Sequence, residues 1–473
     1  MPRAEHPSRV RAWSAQRVGG LVFLLLLLAA HGAQAQSQAQ HRERSQGEYV
    51  AILGNCIACH TQPGGAPFAG GARLPTPLGD IIAPNITPSA AGIGDYSLAQ
   101  FDAAVRRGIR ADGKRLYPAM PYTSYARVSD KDIAALYDWF MQEVEPSDYQ
   151  PPPTELTFPF NIRLAMVGWN LLFHENHRFT PDPEQTKQWN RGAYLVDGLA
   201  HCGACHTPRN LLLGEDGSRY LAGGAVGAWD APDITSHPQS GIGDWSVEEL
   251  VQYLQTGSNS RSQAAGPMAE VVDHSLRYAN EEDLSAIAVY LQTVPASNSL
   301  IERGVHQWGE PGDSLAAVRG EATSSDIEEW TGPQLFDGYC AACHQASGQG
   351  TADGAVPALY RNTATGRTQS NNLALVILEG IQWTAEGRDM HMPGFARELT
   401  DRHVATLSNY LISMYGNPDA TVTIEQVQAL RDGTARAQMQ PDMMRIVRLA
   451  VAAGFVLVLL VVWLALRRKL IRT

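Results

Sequence analysis

The feature that most constrains this chain is where its cysteines lie. All six cysteines of the 473-residue sequence fall within three copies of a Cys-x-x-Cys-His pentad. Two cysteines three positions apart on one helical turn present both thiols to the same side, where they can add to the two vinyl groups of one porphyrin. The adjacent histidine then meets the iron. The pattern therefore predicts three covalently bound haem c groups.

The predicted attachment residues and proximal ligands follow directly from the pentads. Covalent attachment is assigned to Cys56, Cys59, Cys202, Cys205, Cys340 and Cys343, and proximal iron ligation to His60, His206 and His344. A zinc site is the first alternative, but it needs a second ligand pair at short spacing, and no pentad has one. A disulfide framework is the second alternative, and three identical pentads with no cysteine outside them fit it poorly.

The first two pentads belong to a longer duplication. Each is preceded by a Gly-x-Tyr and followed by a Gly-Gly pair, a Pro-x-Ile-Thr segment and a Gly-Ile-Gly-Asp segment. The matching starts are Gly47 and Gly192, Gly70 and Gly223, Pro84 and Pro232, and Gly92 and Gly241. So many agreements in the same order indicate an internal repeat.

Each of the three units is predicted to end in a capped amphipathic helix. Ser129, Asn280 and Thr400 stand at the N-caps, and apolar residues then recur at helical spacing. An aromatic residue takes the same place in all three helices, namely Trp139, Tyr290 and Tyr410. We expect these aromatic side chains to pack the terminal helix against the helix that leads into the pentad.

A methionine precedes each terminal helix at a similar distance. Met120 and Met392 are followed by proline, and Met268 is preceded by one. A thioether on the far side of a haem closes the sixth iron position and raises the reduction potential. We therefore predict Met120, Met268 and Met392 as the distal iron ligands.

Several other residues compete for that role. Met390 and His391 compete with Met392, and ligation by two histidines would lower the potential there. His274 is a weaker rival of Met268, while His201 directly precedes Cys202 and is expected to be a surface or supporting group. His174 and His177 lie between the first two units and could flank a quinone. A solvated or core role is favoured for both.

The two ends of the chain predict export and membrane attachment. Basic residues, an apolar run and an Ala-Gln-Ala site make residues 1–35 a predicted signal peptide, with an uncleaved anchor as the alternative. The unbroken apolar stretch Leu449 to Leu466 has the length of a bilayer-spanning helix. Basic residues directly after it predict a cytoplasmic tail and haem domains outside the inner (cell) membrane, facing the periplasm.

These features predict an all-α fold of three tandem class I cytochrome c-type domains with a C-terminal transmembrane helix. The predicted boundaries are 1–35 signal peptide, 36–145 domain 1, 146–185 linker with a short interlobe helix, 186–295 domain 2, 296–328 linker, 329–417 domain 3, 418–445 tether, 446–466 transmembrane helix and 467–473 cytoplasmic tail. The net charge of -11 and a pI near 5.7 argue against nucleic-acid binding, which needs a basic surface.

At this level of detail the chain resembles a known family. The resemblance rests on four sequence segments: 56–61, 116–122, 191–195 with 202–207, and 392–395. From about Gly47 to Gly416 they are similar to the triheme cytochrome c subunits of membrane-bound bacterial dehydrogenases for alcohol, gluconate and other sugars. The resemblance implies a subunit that accepts electrons from a partner periplasmic dehydrogenase carrying flavin or pyrroloquinoline quinone (PQQ). It further implies that the electrons pass to ubiquinone or a terminal oxidase.

The residues themselves agree with an electron-transfer role. Six-coordinate irons change charge with little rearrangement, and no Rossmann glycine fingerprint or other cofactor motif marks a substrate site. Whether the chain is itself an enzyme stays open. Two other classes are kept as alternatives: a catalytic multihaem enzyme, such as a peroxidase or sulfur-compound dehydrogenase, and a cytochrome c subunit of a respiratory oxidase.

Overall fold

The computed structural model describes residues 44–313, 316–322, 324–385 and 388–435. The first pentad region is built of short helices around one hairpin. Its elements are α1 (Gln46–Leu53), α2 (Cys56–His60), β1 (Arg73–Thr76), β2 (Gly79–Ile82), α3 (Leu98–Arg107), α4 (Tyr122–Tyr125) and α5 (Asp130–Gln142). Strands β1 and β2 pair antiparallel with Arg73 opposite Ile82. The hairpin lies between the pentad and the helices that follow it.

A helix at the surface separates the first two units. Helix α6 (Ala165–Phe173) falls within the predicted interlobe segment. Asn170 is buried and accepts a hydrogen bond from the Tyr122 hydroxyl at 2.7 Å, whereas Leu171 is 87% exposed. One side of the helix is therefore fixed to the first unit while the other faces outward.

The second unit repeats the order of the first. Its elements are α7 (Lys187–Tyr194), a π-helical turn (Leu195–Leu199), α8 (Gly203–His206), β3 (Ala222–Val226), β4 (Trp229–Asp233), α9 (Val247–Thr256), α10 (Gly266–His274) and α11 (Glu281–Leu291). The β3–β4 pair is antiparallel, with Val226 opposite Trp229. The duplication seen in the sequence is thus a structural duplication.

The third unit places its hairpin elsewhere. Its elements are α12 (Gly332–Tyr339), α13 (Ala341–His344), α14 (Thr363–Gly366), α15 (Asn371–Glu379), β5 (Ile381–Ala385), β6 (Arg388–Met392) and α16 (Asp401–Tyr415), followed by α17 (Ile424–Arg431). The hairpin here ends at Met392 instead of following the pentad. Helix α17 lies in the predicted tether, and its Val427 and Leu430 are buried in the core of this unit.

The predicted caps and helix crossings are confirmed. The Ser129, Asn280 and Thr400 side chains accept hydrogen bonds from the backbone N–H three residues on. The three aromatic side chains meet glycines in the helices that lead to the pentads, as Trp139 on Gly47, Tyr290 on Gly192 and Tyr410 on Gly332. A Cβ on Gly192 would lie 2.0 Å from the Ala286 carbonyl oxygen, so only glycine allows this approach.

The described residues form two large apolar cores and one small apolar cluster around Ala264, Ala269 and Val272. One continuous core runs through both of the first two units, from Val50 in α1 to Val294 after α11. The third unit has a core of its own around Leu335, Val404 and Tyr415. The first two units therefore stabilise each other by shared burial of apolar surface.

The prediction of an all-α fold is wrong, because three two-stranded antiparallel sheets accompany the helices. Their strands are four or five residues long and contain residues such as Pro75 and Gly224. The sequence therefore lacks the alternation of apolar and polar residues from which a strand is predicted.

The predicted transmembrane helix is also not supported. In the part of the chain that the structure describes, no helix has the length and apolar character needed to cross a bilayer. Residues 446–466 lie outside the described residues, as do the predicted signal peptide 1–35 and tail 467–473. The predicted placement in the inner membrane, with a cytoplasmic tail, is therefore not supported, because no helix of the described ranges could anchor the chain in a bilayer.

Candidate haem-binding sites

The proximal histidines share one local arrangement. In each, the Nδ1–H donates a hydrogen bond to a proline carbonyl oxygen further along the chain: His60 to Pro84 at 2.8 Å, His206 to Pro232 at 2.8 Å, and His344 to Pro357 at 3.2 Å. This bond fixes the tautomer and leaves the Nε2 lone pair free for a metal. Burial lowers the pKa of all three imidazoles, which favours the neutral, metal-binding form.

Glycine brings the proline segment close to the first pentad. Gly70 has a φ of +81°, and its N–H donates to the His60 carbonyl oxygen at 2.7 Å. A Cβ at this position would lie 2.5 Å from the Pro84 carbonyl carbon. The Gly-Gly pair of the repeat is therefore needed to place the Pro84 carbonyl beside the imidazole.

The cysteines are free and unpaired by disulfides throughout the described residues, which include all six. Burial raises the pKa of the Cys56, Cys202 and Cys340 thiols to about 12 and that of Cys59 to about 11. Because all six cysteines are free, the structure does not support the disulfide alternative. No cluster of three or more His, Cys, Asp or Glu side chains converges among the described residues, so the zinc alternative has no ligand set either.

The second and third pentads open into one cavity of about 390 Å³. Its wall includes Cys202, Cys205 and His206 of the second unit together with Cys340, Cys343 and His344 of the third. Met268 and Met392 line the same cavity. A largely apolar space bounded by thiol pairs, imidazoles with a free Nε2 and thioethers fits a covalently held porphyrin.

The first site is built against the shared core. Cys56 and Met120 both pack on that core. Tyr125, five residues after Met120, donates a hydrogen bond from its hydroxyl to the Gly54 carbonyl oxygen at 2.7 Å. The segment that carries Met120 is thus folded back to the start of the pentad.

The first and second sites are neighbours. Burial is the main cause of the raised pKa of the Cys59 thiol, and the electrostatic effect of the nearby Cys205 raises it further. Helix α2 packs on α10, the helix that carries Met268. Leu53 and Asn55, directly before the first pentad, line the cavity of the second and third sites. The first pentad therefore neighbours the second, and the residues before it reach the cavity that the second shares with the third.

The rival distal ligands have distinct positions. His391 lines the cavity next to Met392 but is exposed, and the Met390 side chain lies outside the described side chains. His274 is at the end of α10 with a 43% exposed side chain, 4.0 Å from Asp273. His201 is a cavity-wall residue whose ring stacks edge-on against Tyr125 at 5.3 Å. His201 thus supports the site, as its place directly before Cys202 led us to expect.

The two histidines of the interlobe segment differ from one another. His174 packs edge-on against Tyr122 at 5.5 Å, and its two buried ring nitrogens find no hydrogen-bond partner among the described residues. His177 is exposed, 3.6 Å from Glu175.

The sequence analysis did not identify Asp197, a largely buried carboxylate beside the second pentad. Asp197 accepts hydrogen bonds from the hydroxyls of Tyr220 and Tyr290, and Arg127 of the first unit lies 3.2 Å away. Burial raises the pKa of Asp197, while these three partners lower it. The carboxylate joins the first unit to the turn before Cys202.

The π-helical turn explains how Asp197 is accommodated. Tyr49 and Cys56 are seven positions apart, but Tyr194 and Cys202 are eight apart, so the second unit has one extra residue. The Ala200 N–H donates to the Leu195 carbonyl oxygen, five residues back, at 2.7 Å. A π-turn of this kind absorbs one inserted residue without ending the helix. The difference in spacing was the available signal.

The comparisons with known proteins agree with this geometry. Residues 331–414 match the family model of cytochrome c. The fructose dehydrogenase cytochrome subunit of Gluconobacter japonicus is 41% identical in an alignment of 467 positions that covers 94% of this chain and 96% of that protein. The gluconate 2-dehydrogenase cytochrome c subunit of Pantoea cypripedii is 36% identical, with 88% of this chain and 96% of that protein covered.

A third relative has a different named substrate. The cytochrome c subunit of the alcohol dehydrogenase (quinone) of Gluconacetobacter polyoxogenes is 35% identical, with 86% of this chain and 88% of that protein covered. Fold, site and similarity together define a c-type cytochrome, which holds haem covalently and transfers electrons. The chain belongs to the family of cytochrome c subunits of dehydrogenase complexes. The family resemblance predicted from the motifs is confirmed.

Proposed function

We propose that this chain is the triheme electron-transfer subunit of a dehydrogenase complex. It accepts electrons from a partner dehydrogenase subunit that carries flavin or PQQ and oxidises an alcohol, a sugar, a sugar acid or an aldehyde. It passes them to ubiquinone or to a terminal oxidase. The three relatives are named as cytochrome subunits of dehydrogenases for fructose, gluconate and alcohol. These names support a partner dehydrogenase whose substrate has a carbon that bears a hydroxyl group.

The observation that carries the proposal is the continuity of the three sites. The attachment residues of the second and third pentads line one cavity, and Cys59 of the first is a close neighbour of Cys205. When bound, each haem supplies a one-electron couple of iron. The chain contributes a fixed row of attachment points, with the second unit between the other two.

The side chains support electron transfer over catalysis. Each Nδ1–H bond to a proline carbonyl directs Nε2 to the proximal position, and Met120, Met268 and Met392 are proposed for the distal position. Two protein ligands on each iron would exclude small substrates and keep the geometry constant between oxidation states. The largely apolar wall of the shared cavity would also reduce the solvent rearrangement that a change of charge requires.

The experiment is co-purification followed by reduction. The full chain, tagged and isolated without denaturation from its own cells, is expected to retain a dehydrogenase subunit. Adding that subunit's substrate under anaerobic conditions should then reduce all three haems and, with a short-chain ubiquinone present, reduce the quinone. Isolation with a haem–copper oxidase instead would contradict the proposal.

A matched variant tests the route. In Cys202→Ala/Cys205→Ala the row is interrupted at its centre, so the partner should still oxidise substrate with an artificial dye but lose quinone reduction. Full quinone reduction in this variant would contradict a relay through the second site. Binding of carbon monoxide to the reduced wild-type protein would instead support a catalytic haem.

A further inference from the structure

Arg367 lies at the junction of the second and third units. It directly follows α14, and the backbone N–H of Thr363 in that helix donates to the Arg261 carbonyl oxygen at 3.2 Å. On its other side, Asn372 exchanges two hydrogen bonds with the backbone of Asp230 at 2.8 and 2.9 Å. The residue is therefore held between two anchors that tie the third unit to the second.

The Arg367 side chain belongs to the wall of the common cavity. It is partly buried and lies near His206, Asp233 and Tyr253, all from the second unit. Burial lowers the pKa of this guanidinium, and the nearby acidic groups only partly oppose that effect. A cation in a largely apolar cavity is costly unless a counter-charge reaches it.

Asp233 and Asp230 are close enough to act on Arg367 electrostatically, but neither carboxylate makes a direct contact with it among the described residues. Arg367 makes no hydrogen bond or ion pair with any described residue. The Asp233 carboxylate already accepts hydrogen bonds from the Ser240 and Ser297 hydroxyls at 2.6 Å and from Thr235. The buried Oδ2 of Asp230 has no hydrogen-bond partner, so the Arg367 guanidinium makes no hydrogen bond to that oxygen.

We propose that Arg367, from the third unit, binds a propionate carboxylate of the haem attached to Cys202 and Cys205 in the second unit. A guanidinium matches a carboxylate with two parallel N–H bonds, and a haem carries carboxylates at one edge of an otherwise apolar plate. We assign the contact to the second haem because Arg367 lines the cavity at that pentad and the ionisable groups near it, among them the proximal ligand His206, belong to the second unit. The contact would clamp the two units together through the cofactor.

The clamp has a consequence for the reduction potential. A fixed positive charge beside a haem stabilises the reduced form, and pairing also keeps the propionate ionised. Removing it should lower the potential of the second haem alone. The unpaired propionate should then take up a proton within an accessible pH range, so the potential of that haem should become dependent on pH.

The test is spectroelectrochemical titration of the purified holoprotein with three variants. In Arg367→Gln, one of the three transitions is expected to move so that the oxidised-to-reduced ratio at a fixed potential rises about tenfold, equivalent to about 59 mV for one electron. Arg367→Lys keeps the charge and should retain most of the potential. Arg361→Gln removes an exposed arginine paired with Glu310 in the same unit and should leave all three transitions in place.

A double variant separates the proposed partner from the nearby Asp230 carboxylate. If Arg367 serves the propionate, Arg367→Gln should cause the same shift in an Asp230→Asn background. Loss of the shift in that background would overturn the proposal, as would three unchanged transitions in Arg367→Gln. The inference depends on the proposed haem at the second pentad, and denaturing mass spectrometry of the same samples counts the haems. A missing haem in the wild type contradicts the proposed function, whereas full haem with unchanged potentials contradicts the clamp alone.

Discussion

The Tyr49 hydroxyl donates a hydrogen bond to the Asp283 carboxylate at 2.8 Å, although the two residues are 234 positions apart. The relationship is reciprocal, because Tyr194 of the second unit donates to Asp132 of the first at 2.5 Å. Each tyrosine also accepts a hydrogen bond from the N-cap residue of the helix it reaches, Asn280 at 3.1 Å and Ser129 at 3.2 Å. The two repeats thus exchange equivalent contacts across their shared core.

Breaking this exchange should weaken the folded state. Tyr49→Phe and Tyr194→Phe are each expected to lower the free energy of unfolding by about 1–3 kcal/mol, because each removes a hydrogen bond to a buried carboxylate. Urea denaturation followed by circular dichroism measures the change. Tyr149→Phe is the control, since that hydroxyl contacts Gln62 at the surface and its loss should cost less than about 0.5 kcal/mol. Equal effects of all three would contradict the structural role.

The glycine crossing of the second unit should not tolerate a methyl group. Gly192→Ala would place a Cβ against the Ala286 carbonyl oxygen and the Tyr290 side chain, at an expected cost of about 1–3 kcal/mol. Gly168→Ala is the matched control on α6, where a Cβ would meet no atom within 4 Å. That change should be neutral or stabilising, because alanine favours a helix over glycine. Thermal unfolding of both variants distinguishes the two outcomes.

The Asp130 carboxylate should contribute stability that depends on pH. Hydrogen bonds from Arg106 and then Arg178 lower its pKa in the folded state, below an unfolded value of about 3.9. Its contribution is therefore present above that unfolded pKa and is lost as the pH falls through the folded pKa. Asp130→Asn should be less stable than the wild type at pH 7, and the difference should shrink below about pH 4. Asp138→Asn removes an exposed carboxylate from the same helix and serves as the matched control.

The proposed distal methionines are tested one at a time. Met120→Ala, Met268→Ala and Met392→Ala should each lower the potential of one haem by more than the roughly 59 mV of a tenfold change, and should each create a site for carbon monoxide. Met141→Ala is the control, because this methionine lies on α5, is not proposed as an iron ligand, and packs on the shared core. His391→Ala should leave the potentials unchanged. A lowered potential in His391→Ala with no effect of Met392→Ala would reassign the third site.

The sequence predicted the chemistry of the sites better than their arrangement. The pentads, the caps at Ser129 and Asn280 and the crossing of Trp139 with Gly47 depend on local spacing, which a single sequence displays. The Pro84 and Pro232 carbonyls could have been noticed, since the Pro-x-Ile-Thr segments repeat. Pro357 could not, because no repeated motif surrounds it.

Long-range relationships were not accessible in the same way. The merging of the second and third sites depends on how α15 packs on β4 and how α14 contacts the loop at Arg261, and no periodicity encodes those contacts. The three hairpins were missed because short strands containing glycine and proline resemble loops. The position of Arg367 likewise follows from tertiary packing alone.

The central claim is that three haems are bound covalently, one at each pentad, and denaturing mass spectrometry of the intact mature chain tests it most directly. We predict a mass that exceeds that of the polypeptide by three haem groups, falling by one haem in each double cysteine-to-alanine variant of a single pentad. A wild-type chain that carries fewer than three haems, or that loses them all on denaturation, would contradict the account.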